Sequence, residues 1–443
     1  MSQLEFTYDW MGTANDELEY TGTSAMFTLR VGTVNLTRNE DIWSKSIRDS
    51  VLVSMYPLAM WLASSWWRLN WEPLPAHGVK PDIDWRMAHE LGAANHGYVW
   101  PQVAFASDTE VMQIWAAPSR SIREQSVKYI NGLDTPISVT LLEYQRTVDD
   151  FINVVLERLD AISCKNTDLS NLWQIIQEDR ADPQKEKYRR REAEMGYDPD
   201  VGPEQLINHA LSLEMRVGPN SLSELIPVYG TQSHKGSLSA VDEIADASGL
   251  TGAPQDPRSS PPKTLPAGAP PWKRAVAAAD DVRKALNNQA GLIDDKVLYD
   301  LLGLDASTIE SWSPEKLSSV AVAIPQSNDH YTFIPRKRHP IGKRFELARF
   351  LGDYILTKQS KDQWLTSTDL STSRQKFQRA FAAEFLCPID ALVDFLSGDY
   401  SESAIEEAAQ HFQVSPTTVD SLLANNGYVH PIISGSLPYS LSL

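Results

Sequence analysis

Apolar and polar residues alternate over 21–36, in a stretch rich in Thr, Val and Phe. A period of two predicts strands, with a hairpin turning at Gly32. Over 41–65 the apolar positions Ile47, Val51, Val53, Leu58, Met60 and Trp61 predict a helix, capped by Asn39 or Asp41. Alternation returns over 99–117, around Phe105, Val111, Ile114 and Trp115, and predicts a second strand pair. From Val139 the period lengthens. Leu141, Val148, Phe151, Val154, Val155 and Leu159 fall mostly at three- and four-residue steps, so one helix face is apolar while Asp149 and Asp150 point outward. Further helices are predicted over 172–178 and 203–215, with a turn at Asp198-Pro199. Another starts at Ala240 and closes on Gly249, where glycine suits a left-handed cap.

Periodicity then stops. Residues 252–271 hold seven prolines with Gly and Ser, which predicts an extended spacer. Beyond it come an Ala-rich helix over 272–288, a short helix over 296–303, and two strands, VAVAI and HYTFI, over 320–334. The expected fold class is α+β: a mostly helical, multi-domain chain with a small N-terminal sheet. The expected domains are a Trp-rich α+β part (1–138), a helical region (139–251), the linker (252–271) and a C-terminal domain (272–443). A chain of 443 residues is too long for one core.

The most specific wording lies over 343–388. It reads KRFELARFLGDYIL and then, after a polar gap, RQKFQRAFAAEFLCP. This pairing resembles the core of the ImmA/IrrE metallopeptidase family, whose usual wording is close to RFTLAHELGHLLLH followed by ExEANxFAAELLMP. The resemblance covers about 272–429 and implies a zincin-like C-terminal domain. In a zincin, two His residues of HExxH bind zinc from one helix face and the Glu is general base. Registered on Arg344, Phe345, Leu347, Ala348, Leu351 and Gly352, the first His position is Arg349, the Glu position Phe350 and the second His position Asp353. In the second helix the acidic ligand position is Phe377 and the family's Asn position is Arg379. Arg stays protonated and Phe has no donor atom, so neither holds zinc. The expectation is a degenerate, zinc-less site with no metal and no cofactor.

Two uses of that site follow. Arg349 and Asp353, four apart on one helix, can pair and fill the former metal cavity. Otherwise Arg349, Asp353, Arg374 and Arg379 form a rebuilt pocket for an anion, a partner or an altered substrate. In active relatives a small sheet beside the zinc helix holds substrate as an added strand. The resemblance implies that such an edge, built here from VAVAI and HYTFI, binds a protein partner.

Charge narrows the partners. The net charge of −18 opposes generic binding to phosphate backbones. One basic run could still form a nucleic-acid patch: Arg336, Lys337, Arg338, Lys343 and Arg344, with His339. A second run is Lys185, Lys187, Arg189, Arg190 and Arg191. Residues 415–423 have a helix-turn-helix flavour, but Asp420 is acidic and no Lys or Arg follows. Nine of the thirteen Trp precede residue 116; they fill a core or form a stacking surface. RMAHELGAANH, around His89, Glu90 and His96, has the wrong spacing for zinc.

No phosphate-binding loop, GxSxG elbow or CxxC pair occurs. No apolar run is long enough to span a bilayer. The N-terminus has no secretory pattern. Cys164 and Cys387 read as free thiols, as in a cytoplasmic protein. Together these features, with the resemblance, imply a bacterial or phage-type regulator. It would bind a protein partner, one encoded nearby, in a stress, toxin–antitoxin, mobile-element or phage-defence system, without cutting it.

Overall fold

The computed structural model describes residues 3–11, 18–75, 80–120, 125–231, 237–258, 269–314, 318–327, 329–357 and 363–429. Helix accounts for 52% and strand for 16%, the strands lying in small antiparallel sheets, so the fold is α+β and mostly helical. No described helix is long and apolar enough to cross a membrane.

The chain divides into two units. The first holds residues up to Ile207 with Gly230 and Thr231; the second holds Asn208–Tyr229 and the described residues from 237 onward. The division falls inside the helix Glu204–Val217, not at the proline-rich run. The helical region expected over 139–251 is therefore shared between units. Of the expected linker, 259–268 lie outside the described residues. Its first residue, Gly252, is in a strand, and its last, Pro271, opens the helix Pro271–Ala285.

In the first unit, Leu4–Trp10 pairs with Ser24–Val31, which also pairs with Val34–Asn35 across Gly32 and with Val51–Ser54. A second sheet runs Ile137–Thr140, Val111–Ala117, Gln102–Ser107, and a third runs Ser46–Arg48, Asn39–Asp41, Val127–Tyr129. Both expected strand pairs are present. The helix expected over 41–65 is half strand: the chain extends over Ser46–Arg48 and Val51–Ser54, and only Met55–Ser64 is helical. The β-branched residues at 47, 51 and 53 favour the pleat, and the Ser54 hydroxyl caps the helix at the Tyr56 N–H. Leu141–Ala161 buries Tyr144, Val148, Phe151, Ile152, Val155 and Leu159. Trp61, Trp66, Trp67, Trp85, Trp100 and Trp115 are buried, so most of the tryptophans are core; Trp43 is 87% exposed.

In the second unit one sheet runs Leu250–Gly252, Tyr331–Ile334, Ala321–Pro325, Leu365–Ser367. Gly249 caps no helix, because Ser239–Ala245 ends earlier. It meets the sheet instead: a Cβ there would lie 2.5 Å from the Phe333 carbonyl oxygen. Two helices, Pro340–Thr357 and Ser373–Leu386, cross beside the sheet at Gly352, where a Cβ would lie 2.7 Å from the Phe381 ring. Pro271–Ala285 packs along the second, and the buried Arg283 donates to the Phe385 carbonyl. Ile389–Leu396, Glu402–Phe412 and Pro416–Asn425 follow, the last two joined through Gln413 in the left-handed region (φ 54°).

Candidate functional site

The two crossing helices bring most of the singled-out residues into one polar core. Its chemistry differs from the expected ion pair. Asp353 is fully buried and pairs with Arg374, not Arg349: Arg374 donates through Nε (2.7 Å) and a terminal nitrogen (2.8 Å) to the two carboxylate oxygens. The Thr366 backbone N–H also donates to Asp353 (2.9 Å). A bidentate fork satisfies a buried carboxylate better than one helical turn allows. Burial works to lower the Arg374 pKa, but the Asp353 charge, its hydrogen bonds and the Glu224 charge together raise the value.

Arg349 faces the same core with other partners. It donates to the Thr368 carbonyl (2.8 Å), to Gln375 Oε1 (2.5 Å) and, at 3.4 Å, to Gln378 Oε1. Burial first, then the nearby Arg379 and Arg336 charges, push its pKa down to about 9, so it stays charged at neutral pH. Arg379 is partly buried and donates to the Leu370 carbonyl (2.9 Å). The two aromatic positions are apolar core. Phe350 packs edge-on against Phe333 (5.6 Å) in the sheet, and Phe377 stacks on Phe381 (6.4 Å). Among the described residues no three His, Cys, Asp or Glu side chains converge as a metal-binding set.

Several members of this core had no signal in the sequence. Glu224 and Ser221 come from the helix Pro219–Leu225, before the proline-rich run. Glu224 accepts from the Thr372 hydroxyl (2.7 Å) and Gln375 Nε2 (3.0 Å), and burial raises its pKa. Ser221 accepts from Arg374 and donates to the Trp364 carbonyl (2.5 Å). Gln375 and Gln378 both donate to the Thr366 carbonyl (3.0 and 2.8 Å). Nothing local marks residues 150 positions away as neighbours. The two glutamines, three apart on a helix face with Arg374, were visible only as polar residues.

The expected sheet edge is occupied on both sides. Leu250–Gly252 covers Tyr331–Ile334, and Leu365–Ser367 covers Ala321–Pro325. The outward N–H and C=O of Thr366 are in turn met by Asp353 and the two glutamines, side chains doing what a further strand would do. Among the described residues, neither edge of the VAVAI–HYTFI hairpin is left open for a partner's strand.

The basic run is not a surface patch either. Arg336, Lys343 and Arg344 are buried, and Lys337, Arg338 and His339 are exposed. Arg336 binds Glu346 (2.9 Å) and Asp369 (2.6 Å), Lys343 donates to the Ile309 and Trp312 carbonyls (both 2.9 Å), and Arg344 holds Asp295 and the Ile293 carbonyl. These cations tie loops and helices together, Arg336 and Arg344 through carboxylates and Lys343 through carbonyls. In the first unit the second run is similarly engaged: Arg189 with Asp179 (2.8 Å) and Asp200 (2.8 Å), and Arg190 with Glu194 (2.9 Å) and over the Trp71 ring (4.1 Å). His89 is buried between the Phe105 carbonyl (2.8 Å) and Glu72 (3.1 Å) and stacks on Trp85 (4.0 Å).

No protein-family model, curated protein or solved structure matches this chain.

Proposed function

We propose that the second unit is a non-catalytic adaptor or regulatory module on an ImmA/IrrE-like scaffold, binding a protein partner in a bacterial stress, mobile-element or phage-defence system. One observation carries this. The four positions that the resemblance assigns to zinc and its base are Arg349, Phe350, Asp353 and Phe377, and each is buried and engaged inside the unit. Such a site offers neither a metal-bound water nor a free carboxylate base. What remains of a peptidase is shape, and shape supports binding.

Both rival readings lose residues to internal bonds. An enzyme using Arg349, Asp353, Arg374 and Arg379 would have to break the Asp353–Arg374 fork. A nucleic-acid subunit would keep two exposed cations of its five.

The test is affinity isolation of the tagged full chain from its native host, with and without a zinc chelator, followed by quantitative mass spectrometry. The expected result is one intact protein companion at near-equal amount, unchanged by chelation. A companion cut in a chelator-sensitive way, or a solitary chain, would overturn the proposal.

A further inference from the structure

Three arginines of the second unit grip three consecutive residues. Arg349 donates to the Thr368 carbonyl (2.8 Å), Arg336 to the Asp369 carboxylate (3.0 and 2.6 Å), and Arg379 to the Leu370 carbonyl (2.9 Å). Two carboxylates touch this group, Asp369 and Glu346, and Arg336 takes both. Arg349 and Arg379 hydrogen-bond neutral acceptors, while the charges of Asp369 and Glu346 reach Arg349 and those of Asp369 and Glu224 reach Arg379. Arg349 is only 5% exposed, and its Nε–H meets no acceptor. Glu224 is committed to Thr372 and Gln375, and burial moves it toward its neutral form. Asp353 is matched by Arg374. Three guanidinium charges thus share two carboxylates, and buried cations short of counter-charge are unfavourable.

We propose that Arg349 and Arg379, with Arg336 beside them, bind a small oxyanion of the phosphate or sulfate class. A tetrahedral oxyanion has several acceptor oxygens and suits guanidinium forks, which donate in fixed pairs. It would take the Arg349 Nε–H and the remaining N–H groups of Arg379, the more exposed of the two. The exposed Lys337 and Arg338 lie in sequence next to Arg336 and make the approach locally positive in a chain of net charge −18. The site requires neither the peptidase resemblance nor a protein partner, so its failure would leave the proposed function standing.

The experiment is calorimetric titration of the full chain with inorganic phosphate and with sulfate, against chloride at equal ionic strength, alongside thermal unfolding. Saturable binding is expected, with a Tm that climbs with ligand concentration as mass action requires. Arg379→Gln should weaken binding at least tenfold while near-ultraviolet circular dichroism stays native. Should that variant unfold, Arg379→Lys, which keeps charge but not the fork, should still bind severalfold more weakly. A phosphoserine arm separates sources: tighter binding than inorganic phosphate means the anion arrives on a larger molecule, equal binding means a free ion. No saturable heat in the wild type, or equal affinity in the Arg379 variants, would overturn the site.

Discussion

Asp353 and Arg374 form the most tightly specified pair in the second unit. Both are buried and joined through two hydrogen bonds. Removing one partner leaves the other charged in a low-dielectric interior, so Asp353→Leu or Arg374→Met alone should cost about 3–5 kcal/mol. Replacing both, Asp353→Leu with Arg374→Met, should recover a large part, since two apolar groups leave no orphan charge. Urea unfolding of the four proteins of this cycle measures the coupling; simple additivity would show that the fork contributes nothing specific. The residue types at 349, 350 and 377 were legible as unable to hold zinc, and Asp353 as a single carboxylate that makes no tetrahedral site by itself. The pairing was not. Residues 349 and 353 share a helix face, which made them the obvious partners, yet a neighbouring helix brings a guanidinium that meets both carboxylate oxygens. Helical spacing states who can meet, and packing decides who does.

At the scale of elements, the two-helix frame depends on Gly352. With a Cβ the first helix would come within 2.7–3.1 Å of three Phe381 atoms, too close for any real packing. Gly352→Ala should therefore push the helices apart and destabilise the unit by about 1–3 kcal/mol, read from the urea midpoint. An unchanged midpoint would mean that Phe381 turns aside freely. Several elements were legible from period alone: the hairpin at Gly32, the strand pair of 102–117, the long helix Leu141–Ala161 and the strands Ala321–Pro325 and Tyr331–Ile334. The stretch over 41–65 was misjudged because apolar residues at 47, 51 and 53 fit a strand as well as a helix. Leu250–Gly252 was hidden for another reason. Three residues carry no measurable period, and this strand exists because Tyr331–Ile334 offers it a ladder.

At the scale of the molecule, pH should act through Glu384, where the two-helix frame meets the C-terminal helices. Its carboxylate accepts from the Ile389 N–H (3.2 Å) and is 3% exposed. Burial pushes its pKa up to about 7 from 4.5; the Ile389 N–H and Arg283 oppose this, and Asp280 and Asp390 add to it. The folded value lies above the unfolded one. Its contribution to stability is full below about pH 4.5 and is lost as pH rises through about 7, on the order of 3 kcal/mol in all. The growing negative charge of an acidic chain acts in the same direction, so the comparison that isolates Glu384 is wild type against Glu384→Gln. The variant should be the more stable above pH 7, the difference shrinking toward pH 4.5. Parallel stability–pH curves would sink the assignment.

Fold class, most of the longer elements and the inability of the side chains at 349, 350 and 377 to ligate zinc were readable along the chain, because these depend on local period and on what each side chain can donate or accept. Folding in three dimensions set where the units divide, which cations are surface and which are buried, and that a helix before the proline-rich run completes the core after it. Those outcomes rest on contacts between residues far apart in the chain. Their burial and partners arise only when the chain closes on itself, as Glu224, Arg374 and the spent sheet edges all show.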